Sequence, residues 1–83
     1  MRELRWDSLK NQELQETRGV TFEQLVNSKL LGIEKHVKRA NQWLMVFEYA
    51  QYAWVVPYVA EEGYFFLKTA FPSRKHTKKY LGG

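Results

Sequence analysis

The sequence has 83 residues, a net charge of +4, thirteen aromatic side chains and no cysteine, which predicts one domain over residues 1–83 with a small, aromatic-rich core. The lack of cysteine excludes disulfides, thiolate metal sites and a cysteine nucleophile. With no apolar signal segment and no run near the roughly 20 residues of a membrane span, we expect a cytoplasmic protein without membrane association.

The first third of the chain predicts two helices. Asp7 can cap a helix over residues 8–17, which Gly19 would close in a left-handed conformation. Thr21 stands three residues before a glutamine, the spacing of a capping box, so a second helix should begin there. Its apolar positions share one helical face up to about residues 28–29, where we expect it to end.

Dense runs of Val, Phe, Tyr and Trp follow, and each has the length of a strand. The runs cover residues 43–49, 52–59 and 64–71, with residues 31–37 as a fourth candidate at one edge. Short connections at residues 50–51 and 60–63 predict an antiparallel meander. Pro57 cannot donate to a strand ladder, so it predicts a bulge or an edge position in the second strand.

The last element is a short C-terminal helix. Pro72 ends the third strand, and residues 73–81 have the pattern of a helix. Two N-terminal helices, three or four antiparallel strands and a short C-terminal helix together predict an α+β fold in two layers.

The positive charge is concentrated at the C-terminal end. Up to Gly63 there are eight Lys and Arg against nine Asp and Glu, whereas from Tyr64 onward there are five Lys and Arg and no acid. A one-sided positive field attracts polyanions such as nucleic acid, an acidic partner segment or an anionic membrane surface. A solvated tail is the simpler interpretation.

The C-terminal helix carries positive charge where a helix dipole disfavours it. Ser73 is a suitable N-cap, but Arg74, Lys75 and His76 fill the first turn behind it. A bound phosphate would resolve this conflict, held by free backbone N–H groups, the Ser73 hydroxyl and the Arg74 guanidinium. Lys68, in the preceding strand, could point into the same place. A merely solvated helix face is the alternative.

The same segment contains groups that could transfer protons. His76 and Tyr80 are one helical turn apart and share a face, so either could act beside the phosphate. Arg74 and Lys68 would then stabilise its charge. Further basic side chains would hold the flanking RNA backbone: Lys75, Lys78 and Lys79 in the helix, and Lys35, Lys38 and Arg39 in a second cluster that is otherwise an ordinary loop. No set of metal ligands stands out, so we expect neither a metal nor a cofactor.

Short motifs near both ends of the chain resemble a known family. Trp6-Asp7 with Lys10, followed by Arg18-Gly19-Val20-Thr21-Phe22-Glu23, resembles the opening of BrnT-type toxins, which reads W-D-x-x-K and then K-H-G-[VI]-[ST]-F-E. The segment from Pro72-Ser73-Arg74-Lys75 to Tyr80 is similar to that family's I-S-A-R-x-A segment and following helix. The middle of the chain matches only by its strand pattern.

The resemblance implies a toxin of a type II toxin–antitoxin module with the RelE-like ribonuclease fold. Such toxins cleave RNA and are neutralised by a small antitoxin, often a ribbon-helix-helix DNA-binding protein, and homo- or hetero-oligomers both fit this picture. Two departures stand out: Arg18 replaces the family's histidine, and Arg74 follows Ser73 directly. A catalytic histidine would therefore be His76 or His36.

The resulting hypothesis is a metal-independent endoribonuclease that inhibits translation by cleaving RNA. A non-catalytic module that docks an antitoxin or nucleic acid through its basic C-terminal helix is the main alternative. A relative that keeps only the fold is a third interpretation.

Overall fold

A computed structural model describes residues 3–82 and has an α+β architecture with three helices and six strands in that range. In chain order the elements are β1 (Glu3–Trp6), α1 (Ser8–Arg18), α2 (Phe22–Val26), β2 (Lys29–Lys35), β3 (Gln42–Tyr49), β4 (Tyr52–Glu61), β5 (Tyr64–Leu67), β6 (Phe71–Pro72) and α3 (Arg74–Leu81). None of the helices in the described range is long and apolar enough to cross a membrane.

The two N-terminal helices begin where the capping residues predicted. Asp7 accepts a hydrogen bond from the Leu9 N–H, and Gly19 closes α1 with a φ of 72°. The capping box of Thr21 is formed in both directions. The second helix ends at Val26, earlier than predicted, because β2 begins only three residues later.

The sheet is larger than the sequence predicted. Its strand order is β1-β5-β4-β3-β2, with β6 also paired to β4, so the expectation of three or four strands was wrong. β1 was not predicted at all, and it pairs in parallel with β5 while the other pairs are antiparallel. The third predicted strand is divided into β5 and β6. The fourth candidate is β2, shifted to residues 29–35.

The strand connections also differ in detail. β4 continues to Glu61, so its hairpin to β5 is a two-residue turn rather than a four-residue loop. Ala50 and Gln51 both have positive φ, as a tight type I′ turn requires. Pro57 causes no bulge, because the register between β3 and β4 is unbroken across it. The Pro57 carbonyl accepts a hydrogen bond from the Lys68 N–H, which lies beyond the end of β5. The Pro57 nitrogen faces the same side of β4, so it lies at a local edge of the sheet.

Helices cover both faces of the sheet, so the expected two-layer arrangement was wrong. Alternate residues of one strand point to opposite faces. One set of buried strand residues, including Trp54, packs with Leu14, Phe22 and Leu25 of the N-terminal segment. The alternate set packs against Tyr80 of α3 and consists of Val46, Ala53 and Val55.

The helix α3 lies across three strands of its face. The Ser73 N–H donates to the Ala53 carbonyl of β4, and the Thr77 hydroxyl accepts from the Ala53 N–H. At its other end Tyr80 reaches β2, where a Cβ on Gly32 would lie 2.7 Å from the tyrosine oxygen. The lack of a side chain at Gly32 therefore allows α3 to sit directly on the sheet, beside a register irregularity between Leu30 and Gly32.

Candidate functional site: a basic pocket beside a half-buried carboxylate

A carboxylate of β2 holds α3 against the sheet through hydrogen bonds. Glu34 Oε2 accepts hydrogen bonds from Lys79 Nζ and from the Tyr80 hydroxyl, both at 2.7 Å. Its other oxygen lies 3.2 Å from Nε2 of His76. Glu34, His76, Lys79 and Tyr80 form what we call the Glu34 cluster. The sequence interpretation did not include Glu34, because nothing local to residue 34 indicates that a helix forty residues later lies over it.

The donors around Glu34 determine its charge. The hydrogen bonds from Lys79, Tyr80 and His76, with the nearby positive charge, lower the pKa of Glu34 from 4.5 to about 2. The same hydrogen bonds raise the pKa of Lys79 and of Tyr80 above their ordinary values. Tyr80 is therefore held protonated and committed to Glu34, which argues for a positioning role rather than the proton transfer predicted for it.

His76 is buried, with 9% of its surface exposed, and both ring nitrogens have partners. Nδ1 lies 2.7 Å from Ser73 Oγ, and Nε2 faces the ionised Glu34. The neutral ring that fits these partners carries its proton on Nε2 and accepts from the Ser73 hydroxyl. Ser73 Oγ also accepts the His76 N–H at 3.1 Å, which makes Ser73 the N-cap predicted for α3. The rings of His76 and Tyr80 are parallel within 9° at 6.4 Å, as expected for residues one turn apart.

The two basic segments of the sequence meet at one surface pocket. Its volume is about 150 Å³. Four of its lining residues are lysines or histidines, namely Lys35 and His36 at the end of β2 and Lys75 and His76 in the first turn of α3. Glu34, Val37 and Leu44 complete the lining. We call this the basic pocket. The arrangement brings together residues from the two predicted clusters, although not all of them.

His36 presents one free nitrogen at this pocket. Its Nδ1 accepts hydrogen bonds from the backbone N–H groups of Lys38 and Arg39, at 3.1 and 3.3 Å. With Nδ1 used as an acceptor, the proton of the neutral ring is on Nε2. Nε2 has no protein partner within the described residues, so it can donate to an anion. Lys35 is held beside it by a 3.3 Å bond to the Ala40 carbonyl.

Other predicted site residues lie outside the lining of this pocket. Arg74 and Lys78 are exposed on α3 and make no side-chain hydrogen bond or ion pair in the described range. Lys38 and Arg39 lie exposed in the β2–β3 connection. Lys68 is also exposed. The Lys68 N–H donates to the Pro57 carbonyl of β4, whereas the Ser73 N–H donates to the Ala53 carbonyl. These two points on β4 are about 13 Å apart along the strand.

The structure also accounts for part of the unfavourable positive charge predicted for α3. Glu34 supplies a protein carboxylate to His76 and Lys79, so those two groups need no external anion. Arg74 and Lys75, at the start of the helix, have no acidic partner in the described range. The remaining unbalanced charge is therefore next to the basic pocket. Among residues 3–82 no group of three His, Cys, Asp or Glu side chains is positioned to hold a metal ion.

Comparison with known proteins finds one fold relative. The crystal structure of the ribonuclease toxin BrnT from Brucella abortus matches with a TM-score of 0.58, over 88% of this chain and 97% of that chain. The two sequences are 14% identical over this match, so the likeness establishes the shared fold alone. No family model and no curated protein matches the sequence.

Proposed function

We propose that this chain, which has the fold of the ribonuclease toxin BrnT, is itself a metal-independent endoribonuclease that binds RNA at the basic pocket. The observation that carries the proposal is the pocket itself, which Lys35, His36 and Lys75 line together with the buried His76 and the half-buried Glu34. Cationic groups around a polarised histidine are what phosphodiester cleavage without a metal requires.

The chemistry uses the RNA's own 2′-hydroxyl as nucleophile. Its oxygen attacks the adjacent phosphorus, the bond to the 5′-oxygen breaks, and a 2′,3′-cyclic phosphate and a 5′-hydroxyl form. The 2′-hydroxyl proton passes to Ser73 Oγ as the Ser73 proton moves to His76 Nδ1, across the observed 2.7 Å contact. Glu34 stabilises the resulting imidazolium, and Tyr80 holds Glu34 in place.

The cationic side chains stabilise the negative charge that develops on the phosphate. Lys75 supplies charge at the pocket, and His36 Nε2 donates to a phosphate oxygen. Lys75 also gives a proton to the departing 5′-oxygen. Arg74 contacts the flanking phosphate. The remaining predicted RNA contacts lie further along the backbone path: Lys35, Lys38, Arg39, Lys68, Lys78 and Lys79.

In the cell this activity would make the chain the toxin of a type II toxin–antitoxin module. RNA cleavage would stop translation, and a cognate antitoxin, of which a ribbon-helix-helix DNA-binding protein is one form, would neutralise it. Expression of the chain alone in bacteria should therefore arrest growth, and co-expression with the antitoxin should restore it. Growth that continues at full expression of the folded chain would contradict this role.

The direct test is cleavage of a labelled RNA by the purified chain in the presence of EDTA. Lys75→Ala should lower the cleavage rate by about 100-fold or more, because it removes charge stabilisation from the transition state. Lys29→Ala is the matched control, since Lys29 is an exposed lysine at the opposite end of β2 from the pocket, and it should cleave like wild type. Equal rates for both variants would remove the basic pocket from the mechanism.

His36→Asn separates binding from folding. An asparagine side chain can still accept the turn N–H groups that His36 Nδ1 now accepts, as in an Asx-turn. The asparagine NH2 group is still a donor, but it lies closer to the backbone than His36 Nε2, so the variant loses the donor at the Nε2 position. We expect an unchanged fold and weaker RNA binding, measured by fluorescence anisotropy.

A non-catalytic RNA-binding module is the second candidate, and one observation favours it. Both nitrogens of His76 already have protein partners in the free chain, as expected for a structural histidine. That function predicts RNA binding that weakens steeply with salt, no cleavage products, and no effect of His76→Gln on affinity.

A further inference from the structure

An apolar groove crosses the face of the sheet opposite to α3. Two adjoining cavities of about 320 and 280 Å³ form it and share Ile33 and Phe65 in their linings. The groove extends from Leu4 in β1 across Phe65 and Tyr58 to Ile33 in β2, so it spans five neighbouring strands. Its lining is almost entirely apolar and includes Trp43 and Met45.

The two N-terminal helices leave this part of the face open. They pack where Trp6 contacts Phe22, with ring centroids 5.5 Å apart, and Val26 at the end of α2 forms one wall of the groove. At the β2 end the side chains of Ile33 and Leu30 remain 51% and 42% exposed. A continuous apolar groove with such exposed residues is a feature of protein-binding surfaces rather than of ordinary surface.

The dimensions of the groove fit a helix. Four strand-to-strand spacings give a length of about 19 Å across the sheet. An α-helix of about 13 residues has this length, and lying beside α2 it would complete the helical layer on this face. Helix-in-groove docking buries side chains at i, i+3, i+4 and i+7, which an amphipathic helix supplies.

Charge at one end of the groove indicates the chemistry of that helix. Lys35 Nζ lies 5.0 Å from the ring centroid of Trp43, which lines the groove. Lys35 also lines the basic pocket, next to His36 and Lys75. Carboxylates on the docked helix near β2 would therefore meet the uncompensated charge of Lys35. A segment that continues from there around the β2 edge would reach the basic pocket on the other face of the sheet.

We propose that this groove binds an amphipathic helix of a partner protein, apolar on the buried face and acidic at the end over β2. The inference rests on the proposed function only in taking this partner to be the antitoxin. Docking through the groove then inhibits the ribonuclease, because the partner chain that follows the acidic end of the helix passes around the β2 edge and covers the basic pocket.

The test uses the full chain and the protein encoded by the reading frame next to its own gene, with binding measured by calorimetry. Ile33→Glu should weaken binding by at least about tenfold, because it places a negative charge in the apolar contact at the end of the groove where the docked helix is acidic. Leu30→Glu is a second variant in the same groove and should act in the same direction. Leu9→Glu is the matched control, because Leu9 is 73% exposed on α1 and outside the groove lining, and it should bind within about twofold of wild type.

The outcomes separate this proposal from the ribonuclease proposal. The groove is overturned if wild type does not bind the neighbouring protein, or if the folded Ile33 and Leu30 variants bind as wild type or no worse than the Leu9 variant. RNA cleavage by free Ile33→Glu should match wild type, because Ile33 lies on the other face of the sheet from α3. If neither wild type nor any variant cleaves RNA while the binding differences are observed, the ribonuclease proposal is contradicted and the docking proposal is supported.

Discussion

Replacing Glu34 with glutamine keeps the shape of the side chain and removes its negative charge. The carboxyl pKa is lowered from 4.5 to about 2 in the folded chain, which corresponds to roughly 3 kcal/mol of folding free energy at neutral pH. Lys79, the strongest cause of this lowering, is 56% exposed, so water and salt screen its share. We therefore expect Glu34→Gln to cost about 2 kcal/mol at pH 7.

The pH dependence follows from the direction of this change. Since the folded state binds the Glu34 proton more weakly than the unfolded state, the stabilisation is complete above about pH 5 and is lost as the pH falls towards 2. By pH 3 more than half of it should be gone. Glutamine does not titrate, so between pH 7 and pH 3 the variant should lose about 1 kcal/mol less stability than wild type.

Urea unfolding followed by tryptophan fluorescence at pH 7, 5 and 3 measures both quantities. Glu16→Gln is a suitable control, because Glu16 is an exposed carboxylate on α1, and its pH profile should run parallel to that of wild type. Parallel profiles for wild type and Glu34→Gln would refute the reasoning, since they would mean that Glu34 is not held as an ion by the last helix.

Three further substitutions test local features. Gly32→Ala should destabilise the fold by about 1–3 kcal/mol, because the new methyl group would lie 2.7 Å from the Tyr80 oxygen. Urea unfolding measures this loss, which should be smaller when Tyr80 is also replaced by alanine. Replacing Ala50 and Gln51 together by Asn-Gly should raise stability by about 1–2 kcal/mol, because both positions have positive φ, and an unchanged melting temperature would contradict it. Ser73→Ala should cost about 1 kcal/mol through loss of the α3 cap and should also slow RNA cleavage, whereas Ser73→Thr should retain the cap in circular dichroism melts.

The features predicted correctly from the sequence are those encoded by neighbouring residues. Asp7, Thr21 and Ser73 each cap the helix that follows them, because a cap needs only a side-chain oxygen two or three residues before an orphan N–H. The β3–β4 hairpin was also predicted, because strand preference and a tight turn are local signals.

Features that depend on distant partners were not predicted. The four residues of β1 carry a weak strand signal, and their parallel pairing with β5 joins parts of the chain sixty residues apart. The role of Glu34 depends on α3 lying across the sheet, which a residue pattern around position 34 does not reveal. The side of the sheet taken by α3 was missed for the same reason, since both faces of β3 and β4 are apolar.

The candidate site was predicted in part. The sequence indicated an anion site at the start of α3, and Lys75 does line a basic pocket together with Lys35. Lys68 and Arg74 were expected to converge on His76, and they do not. The Lys68 backbone is bonded to Pro57 of β4 and the Ser73 backbone to Ala53, four residues away along the same strand. Loop paths of this kind depend on where each strand stops, and sequence patterns give strand ends poorly.

The fastening of α3 to β2 has a consequence for synthesis of the protein. One wall of the basic pocket comes from β2, and the other comes from the last helix of the described chain. Until α3 has left the ribosome, Val46 and Val55 lack the cover that Tyr80 gives them on their side of the sheet, and the pocket has only one wall. A chain without α3 would therefore be both prone to aggregation and harmless to RNA, so the proposed activity would appear only once α3 has packed onto the sheet.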